Sequence, residues 1–302
     1  MQIIENYQIK NDTTFRIGGT VSKVALPETC DELIELLKSK EYELIFGNCS
    51  NTLFSSEKIN KNIILTKNLN EFSFNGTTLK VSCGTKGPII AKECQARGLT
   101  GLEFLIGFPG SFGGMIHMNS SAHNQSISDT FVSARIFDLE TNEIKTYYKK
   151  DMNFEYRNSI LNNENLILID AIFELKEGIQ EEINSTIEHN LEFRKQHQPS
   201  LKYGNGGSTF KNPKNDSAGR LLDECGMKGQ TQGGAKVFEG HANFVLNFYN
   251  ATSLDIITLI YRMQIAVKEK FEIKLMPEIK YIGDKGTKEY RLWEMITKEN
   301  TH

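Results

Sequence analysis

An α+β architecture follows from three features of this 302-residue chain. Strand signals dominate from Asn62 to Leu175, with few helices between them. A polar helical stretch, Glu181 to His197, then acts as a connector. Beyond it, short strands flank one long amphipathic helix. The length predicts two or three domains rather than one core.

The elements follow in order from local signals. Lys23–Pro27 reads as a short strand. Thr29 with Glu32 three residues later is a capping box, and Leu33, Ile34 and Leu37 share the face of the helix it opens. Leu44–Phe46 is a buried strand running into the polar turn Gly47-Asn48-Cys49-Ser50-Asn51. Strand signals recur at Asn62–Thr66 and Leu79–Ser82. A second helix starts at Pro88 and stops at Gly98. Five glycines and Pro109 follow before Ala122, so that stretch reads as looped backbone. A hairpin spans Phe131–Tyr148 and turns near Thr141-Asn142, and Leu166–Leu175 is another strand. After the connector come a glycine cluster at 204–207, a helix from Ser217 to Cys225 stopped by Gly226, and a strand at Ala242–Phe248. A helix from Ser253 to about Lys270 and a strand after Pro277 close the pattern.

The composition excludes several classes. Hydrophobic residues make up 39% and charged residues 24%, with a net charge of -3. That is the balance of a soluble globular protein, and it lacks the basic excess of one that grips nucleic acid by its phosphates. The five cysteines are widely spaced with no CxxC pair, which argues against a disulfide framework or a metal site and for reduced thiols. No run reaches the roughly 18 apolar residues of a membrane span. The N-terminus shows no signal-peptide pattern, so a cytoplasmic protein is expected.

Four polar or glycine-rich clusters and one acidic strand could carry chemistry. Gly47–Asn51 ends a strand in small residues whose N–H groups can cradle phosphate, although an ordinary tight turn reads equally well. It is neither a Rossmann fingerprint nor a P-loop. Gly107-Phe108-Pro109-Gly110-Ser111-Phe112-Gly113-Gly114 holds more glycines than a structural loop needs, as close approach of backbone to a flat or anionic ligand requires. Tyr156-Arg157-Asn158-Ser159 reads from spacing alone as a surface turn. Gly206–Pro213 presents the Ser208 hydroxyl on a glycine turn, followed by Lys211 and Asn212, a set suited to a phosphorylated substrate and a proton transfer. Glu278, entering an apolar strand, is either a solvated edge residue or a buried carboxyl in need of a partner.

Taken together in this order, the clusters resemble the UDP-N-acetylenolpyruvoylglucosamine reductase (MurB) family. The match runs from Thr13-Thr14-Phe15-Arg16-Ile17-Gly18-Gly19 to Pro277-Glu278-Ile279-Lys280-Tyr281-Ile282-Gly283. Between them stand Gly101-Leu102-Glu103-Phe104, the Pro109–Gly114 cluster, Tyr156–Ser159 and Gly207–Pro213. Ala218-Gly219-Arg220-Leu221-Leu222-Asp223, Gly233-Gly234-Ala235-Lys236-Val237 and His241-Ala242-Asn243-Phe244 complete the set.

The resemblance implies an FAD-binding domain of the vanillyl-alcohol-oxidase (PCMH) type in two subdomains, residues 1–58 and 59–180. A connector helix and C-terminal α+β substrate-binding domain take residues 181–302. The shorter family type, without the inserted tyrosine loop, is implied. FAD is expected to be held without a covalent bond, so His117 and His123 are expected not to attach it. Gly47, Asn48, Cys49, Ser50, Asn51, Pro109, Gly110, Ser111, Gly113, Gly114 and Asn119 are expected to bind it. Arg157, Ser208 and Glu278 match the catalytic positions, and Tyr156, Lys211 and Asn212 match the substrate side. NADPH is the implied co-substrate and a UDP-sugar the substrate in peptidoglycan precursor synthesis. A monomer without metal, nucleic-acid partner or membrane insertion is expected. A diverged flavin oxidoreductase of the same fold and a weakly active flavin- or nucleotide-binding paralogue are the alternatives. Two departures bear on FAD affinity. Cys49 stands where the family's Gly-x-Gly-Ser-Asn turn has its middle glycine, and Met118–Asn124 replaces the usual Asn-Ala-Gly-Ala-Tyr-Gly.

Overall fold

The computed structural model describes residues 1–163, 165–200 and 202–298. The chain divides into two compact units. The first comprises Met1–Ile4, Lys23–Asn48 and Lys61–Arg194. The second comprises Glu5–Ser22, Cys49–Asn60 and the chain from Lys195 on. Strands Gln2–Gln8, Thr20–Leu26 and Ile59–Leu65 each contribute residues to both.

The first unit is built on a five-stranded antiparallel sheet. Its order is Glu143–Tyr148, Phe131–Asp138, Leu166–Glu174, Thr78–Ser82 and Phe72–Asn75. The expected hairpin is present, with Asp138 opposite Glu143 and Asn142 at φ +56 in its turn. Leu44–Phe46 pairs in parallel with Ile63–Leu65. Helix Cys30–Ser39 starts where the box predicted. Thr29 accepts the Glu32 N–H, while the Glu32 carboxylate reaches back to the Glu28 N–H rather than to Thr29 itself. Leu33, Leu36 and Leu37 bury its apolar face in a core shared with Ile90, Phe112, Ile136 and Phe173. The connector is a helix, Gln180–His197, which buries Ile183, Ile187 and Asn190.

The stretch from Gly98 to Ala122 is not all loop. A 3-10 turn covers Glu103–Gly107 and a six-residue helix covers Phe112–His117. The sequence reading missed them because two adjacent glycines lower helix propensity. Tertiary burial of Phe112, Met115 and Ile116 overrides that cost.

The second unit has its own core around the long helix Ser253–Phe271, whose Thr252 cap and Asp255 form a reciprocal box. A four-stranded sheet runs Gly204–Asn205, Val245–Asn247, Ala235–Val237, Thr231–Gln232. The expected Ala242–Phe248 strand is shorter than its sequence suggested, because Ala242 to Phe244 leave the ladder to make other bonds. Thr52–Phe54 pairs in parallel with Lys280–Ile282. Helix Lys288–Thr297 was not foreseen. Its polar sequence buries only Glu289, Trp293 and Ile296.

Candidate functional site

In the first unit the glycine cluster meets the end of strand Leu44–Phe46. The Asn48 amide donates to the Pro109 carbonyl. A Cβ on Gly47 would lie 1.9 Å from Ser111 Oγ, so no side chain fits between the two segments. Main-chain bonds from Phe112 N–H to Thr85 O, 2.9 Å, and from Gly113 N–H to Cys83 O, 2.7 Å, hold the start of the short helix on the sheet.

Two observations fit a cradle for a ligand here. Ser111 Oγ and Asn119 Oδ1 are buried and have no hydrogen-bond partner among the described residues. Such atoms cost free energy unless something supplies the missing bond. Gly114 is exposed, and a Cβ there would meet nothing within 4 Å. An unpartnered hydroxyl and amide oxygen near the open face of Gly114 fit the polar edge of a dinucleotide-type cofactor such as FAD.

Tyr156 and Arg157 occupy the turn of a tight loop. Glu155 and Asn158 exchange main-chain bonds of 3.1 and 3.2 Å across it. Arg157 takes φ +55, a left-handed conformation that a long side chain adopts only under constraint. It is half-buried rather than a free surface residue. Its guanidinium donates to Ser121 Oγ at 3.1 Å and lies over the Tyr156 ring at 5.2 Å. Asn119 ties this loop to the glycine helix by donating to the Glu155 carbonyl at 3.0 Å. Ser159 does the same to the His117 carbonyl at 2.9 Å.

The departures are visible as backbone geometry. Cys49 is buried and sits at φ +46, the glycine conformation. Asn119, His123 and Asn124 likewise take positive φ, at 41, 52 and 60°. Asparagine and histidine tolerate this region better than most residues, so the segment holds three left-handed positions without a glycine. His123 stacks edge-on against Phe193 at 5.1 Å and faces His189 at 6.1 Å. Burial, and secondly His189, lower its pKa.

The second unit brings Ser208, Asn51 and Glu278 onto neighbouring strands. Gly207 at φ +77 turns the chain into Ser208. The Glu278 N–H donates to the Thr209 carbonyl at 2.8 Å, and Phe210 bridges Pro277. The Asn51 amide donates to the Glu278 carbonyl at 2.9 Å, and the Lys280 N–H returns to the Asn51 carbonyl at 2.9 Å. Ser50 is held by Thr14, whose hydroxyl donates to its carbonyl at 3.3 Å. Glu278 is half-buried, between the two sequence readings. Lys211 bonds the Met276 carbonyl through its N–H at 2.9 Å, and its ammonium forms no ion pair among the described residues. Asn212 Oδ1 accepts the Ala218 N–H at 3.0 Å and so holds the start of the following helix.

Sequence reasoning missed the partners that hold these groups. Ser121 and Asn243 stand out, and Asn243 was visible only as a letter in the His241–Phe244 motif.

The glycine-rich segment and its unpartnered polar atoms fit an FAD-binding oxidoreductase. In agreement, residues 21–147 match the family described as FAD binding domain. Residues 198–282 match the UDP-N-acetylenolpyruvoylglucosamine reductase C-terminal domain. The chain is 38% identical to the reductase of that name from Caldicellulosiruptor bescii, over 94% of this chain and 92% of that one. It is 36% identical to the one from Enterococcus faecalis, over 91% and 93%. The crystal structure of the reductase from Thermus caldophilus superposes with a TM-score of 0.79 at 30% identity, covering 93% of this chain and 98% of that one. The chain belongs to the UDP-N-acetylenolpyruvoylglucosamine reductase (MurB) family, and the α+β expectation with an FAD-binding domain stands.

Proposed function

We propose that this chain uses NADPH and FAD to reduce UDP-N-acetylenolpyruvoylglucosamine to UDP-N-acetylmuramate, as a cytoplasmic monomer. No helix among the described residues is long and apolar enough to cross a membrane. The observation that carries the residue assignment is the 2.8 Å bond from the Glu278 N–H to the Thr209 carbonyl. It places a hydroxyl-bearing and a carboxyl-bearing segment side by side in one ribbon.

Ser111, Asn119, Gly114 and the Gly47–Asn51 turn would hold FAD. When bound there and reduced by NADPH, FAD would supply the hydride for C3 of the enolpyruvyl group. Charge then collects on the substrate carboxylate as an enediolate. Arg157, oriented by Ser121, supplies the cation that meets it, an effect worth about 3–4 kcal/mol for one well-placed donor. Glu278 acts as a protonated hydrogen-bond donor, since a bare carboxylate would repel the enediolate. Ser208 delivers the proton to C2. A serine hydroxyl is a weak acid, so a nearby cation must stabilise the alkoxide it leaves, or a water must return a proton to it. Lys211 serves the diphosphate as a point charge, and Asn212 and Tyr156 meet the nucleotide sugar.

The test is NADPH consumption by FAD-loaded protein with and without the enolpyruvyl substrate. Consumption that depends on the substrate supports the reading. A colourless protein that takes up no FAD, or turnover indifferent to that substrate, overturns it.

A further inference from the structure

Ser208 is half-buried, and its hydroxyl makes no hydrogen bond to any described residue. Its position is therefore inherited from the backbone on either side. On one side stands Gly207 at φ +77, held through its N–H by Asn205 Oδ1 at 3.0 Å. On the other side the constraint comes from Thr209 and Phe210.

That constraint has two sides. Toward the Glu278 strand, the Thr209 carbonyl accepts the Glu278 N–H at 2.8 Å and the Lys211 N–H meets the Met276 carbonyl at 2.9 Å. In an antiparallel pair the residue between two such bonds turns its own N–H and C=O the other way. Phe210, opposite Pro277, is that residue. Its outward polar groups need a partner, because the residue is 1% exposed and buried polar groups without partners are costly.

Asn243 supplies both bonds. Its Oδ1 accepts the Phe210 N–H and its Nδ2 donates to the Phe210 carbonyl, each at 2.9 Å. Its main-chain carbonyl also accepts the Thr209 N–H, at 2.8 Å. One side-chain amide thus does the work of a missing strand. Asn243 is itself buried, 3% exposed, and its N–H is fixed by His241 Nδ1 at 3.2 Å.

We propose that Asn243 is a positioning residue for Ser208, clamping Thr209 and Phe210 so that the hydroxyl stays in place for proton delivery. This rests on the assignment of Ser208 as proton donor. Truncation leaves the Thr209 bonds to Glu278 and to the Asn243 main-chain carbonyl but removes both bonds to Phe210, loosening the strand that carries Ser208. The effect falls on the step that uses Ser208 and spares flavin reduction.

The experiment follows the two half-reactions separately by stopped flow, on full-length, FAD-loaded protein. Wild type, Ser208→Ala, Asn243→Ala and the double variant are compared. For Asn243→Ala, flavin reduction by NADPH should change less than 3-fold, while flavin reoxidation at saturating substrate slows 10-fold or more. The double variant should be no slower than Ser208→Ala, because the clamp acts only through that hydroxyl. Equal loss in both half-reactions, a lowered melting temperature with neither changed, or additive losses in the double variant would each overturn the proposal. If Ser208→Ala reoxidises normally, the donor assignment itself falls instead. Should Asn243→Ala not fold, Asn243→Asp carries the same test. It keeps the acceptor for the Phe210 N–H and puts a carboxylate oxygen in place of the donor to the Phe210 carbonyl.

Discussion

The side-chain amide of Asn51 donates to the main-chain carbonyl of Glu278 at 2.9 Å. A residue of the Gly47–Asn51 turn thereby holds the segment that presents the Glu278 side chain. Asn51→Ala removes a bond worth about 1 kcal/mol. The variant should melt a few degrees lower and show both weaker FAD binding and slower reoxidation by substrate. Scanning calorimetry and flavin titration check this. A variant that loses FAD affinity while reoxidation stays at the wild-type rate would mean that the bond does not position Glu278.

Cys49 at φ +46 carries a strain of about 1–2 kcal/mol that glycine would not. Cys49→Gly releases it but gives up a buried side chain of similar worth. Its stability should stay within about 1 kcal/mol of wild type, with FAD bound equally well or more tightly. Cys49→Val puts a β-branched residue at positive φ and should lose stability and FAD together. Urea unfolding and FAD titration of both variants separate strain from crowding.

His241 links stability to pH. Burial, and then Lys228 and His197, push its pKa below the ordinary histidine value, with Asp223 opposing. As pH falls below about 6.5, the unfolded chain takes up this proton before the folded one does. Stability therefore declines from there down through the lowered folded pKa, and is fully present above 6.5. Protonation would also turn Nδ1, which accepts the Asn243 N–H, into a donor. His241→Asn keeps an acceptor and cannot titrate, so its urea midpoint should fall less between pH 7.5 and 5.5 than that of wild type. Parallel declines would exclude His241 as the source.

Glu289 is a carboxylate buried at 6% exposure. Ser55 Oγ, Tyr281 OH and Ser253 Oγ all donate to it at 2.7 Å. No cation joins the network among the described residues. Burial, and then the bond to Glu289, raise the pKa of Tyr281, which stays a donor. Glu289→Ala strands three hydroxyls and should cost about 3–5 kcal/mol. A loss below 1 kcal/mol in urea unfolding would show that water replaces the carboxylate.

Much of this was legible in the chain. The Thr29 cap, the Phe131–Tyr148 hairpin and the Ser253–Phe271 helix follow from local rules. The glycine clusters were also legible in the letters, whereas Arg157, Ser208 and Glu278 became joint catalytic candidates only through the family resemblance. Helix Phe112–His117 was hidden, since packing rather than propensity forms it. Helix Lys288–Thr297 was hidden by its polar surface.

Residue types, turn chemistry and periodicity are local, and the sequence alone determined them, along with the family they spell out. Whether Arg157 is a surface turn or a held cation was decided by Ser121, 36 residues away along the chain. That Cys49 takes a glycine's backbone, and that Asn51 grips Glu278 across 227 residues, likewise depended on the folded chain. Such contacts join groups whose separation along the chain carries no periodic signal, so only the tertiary structure could reveal them.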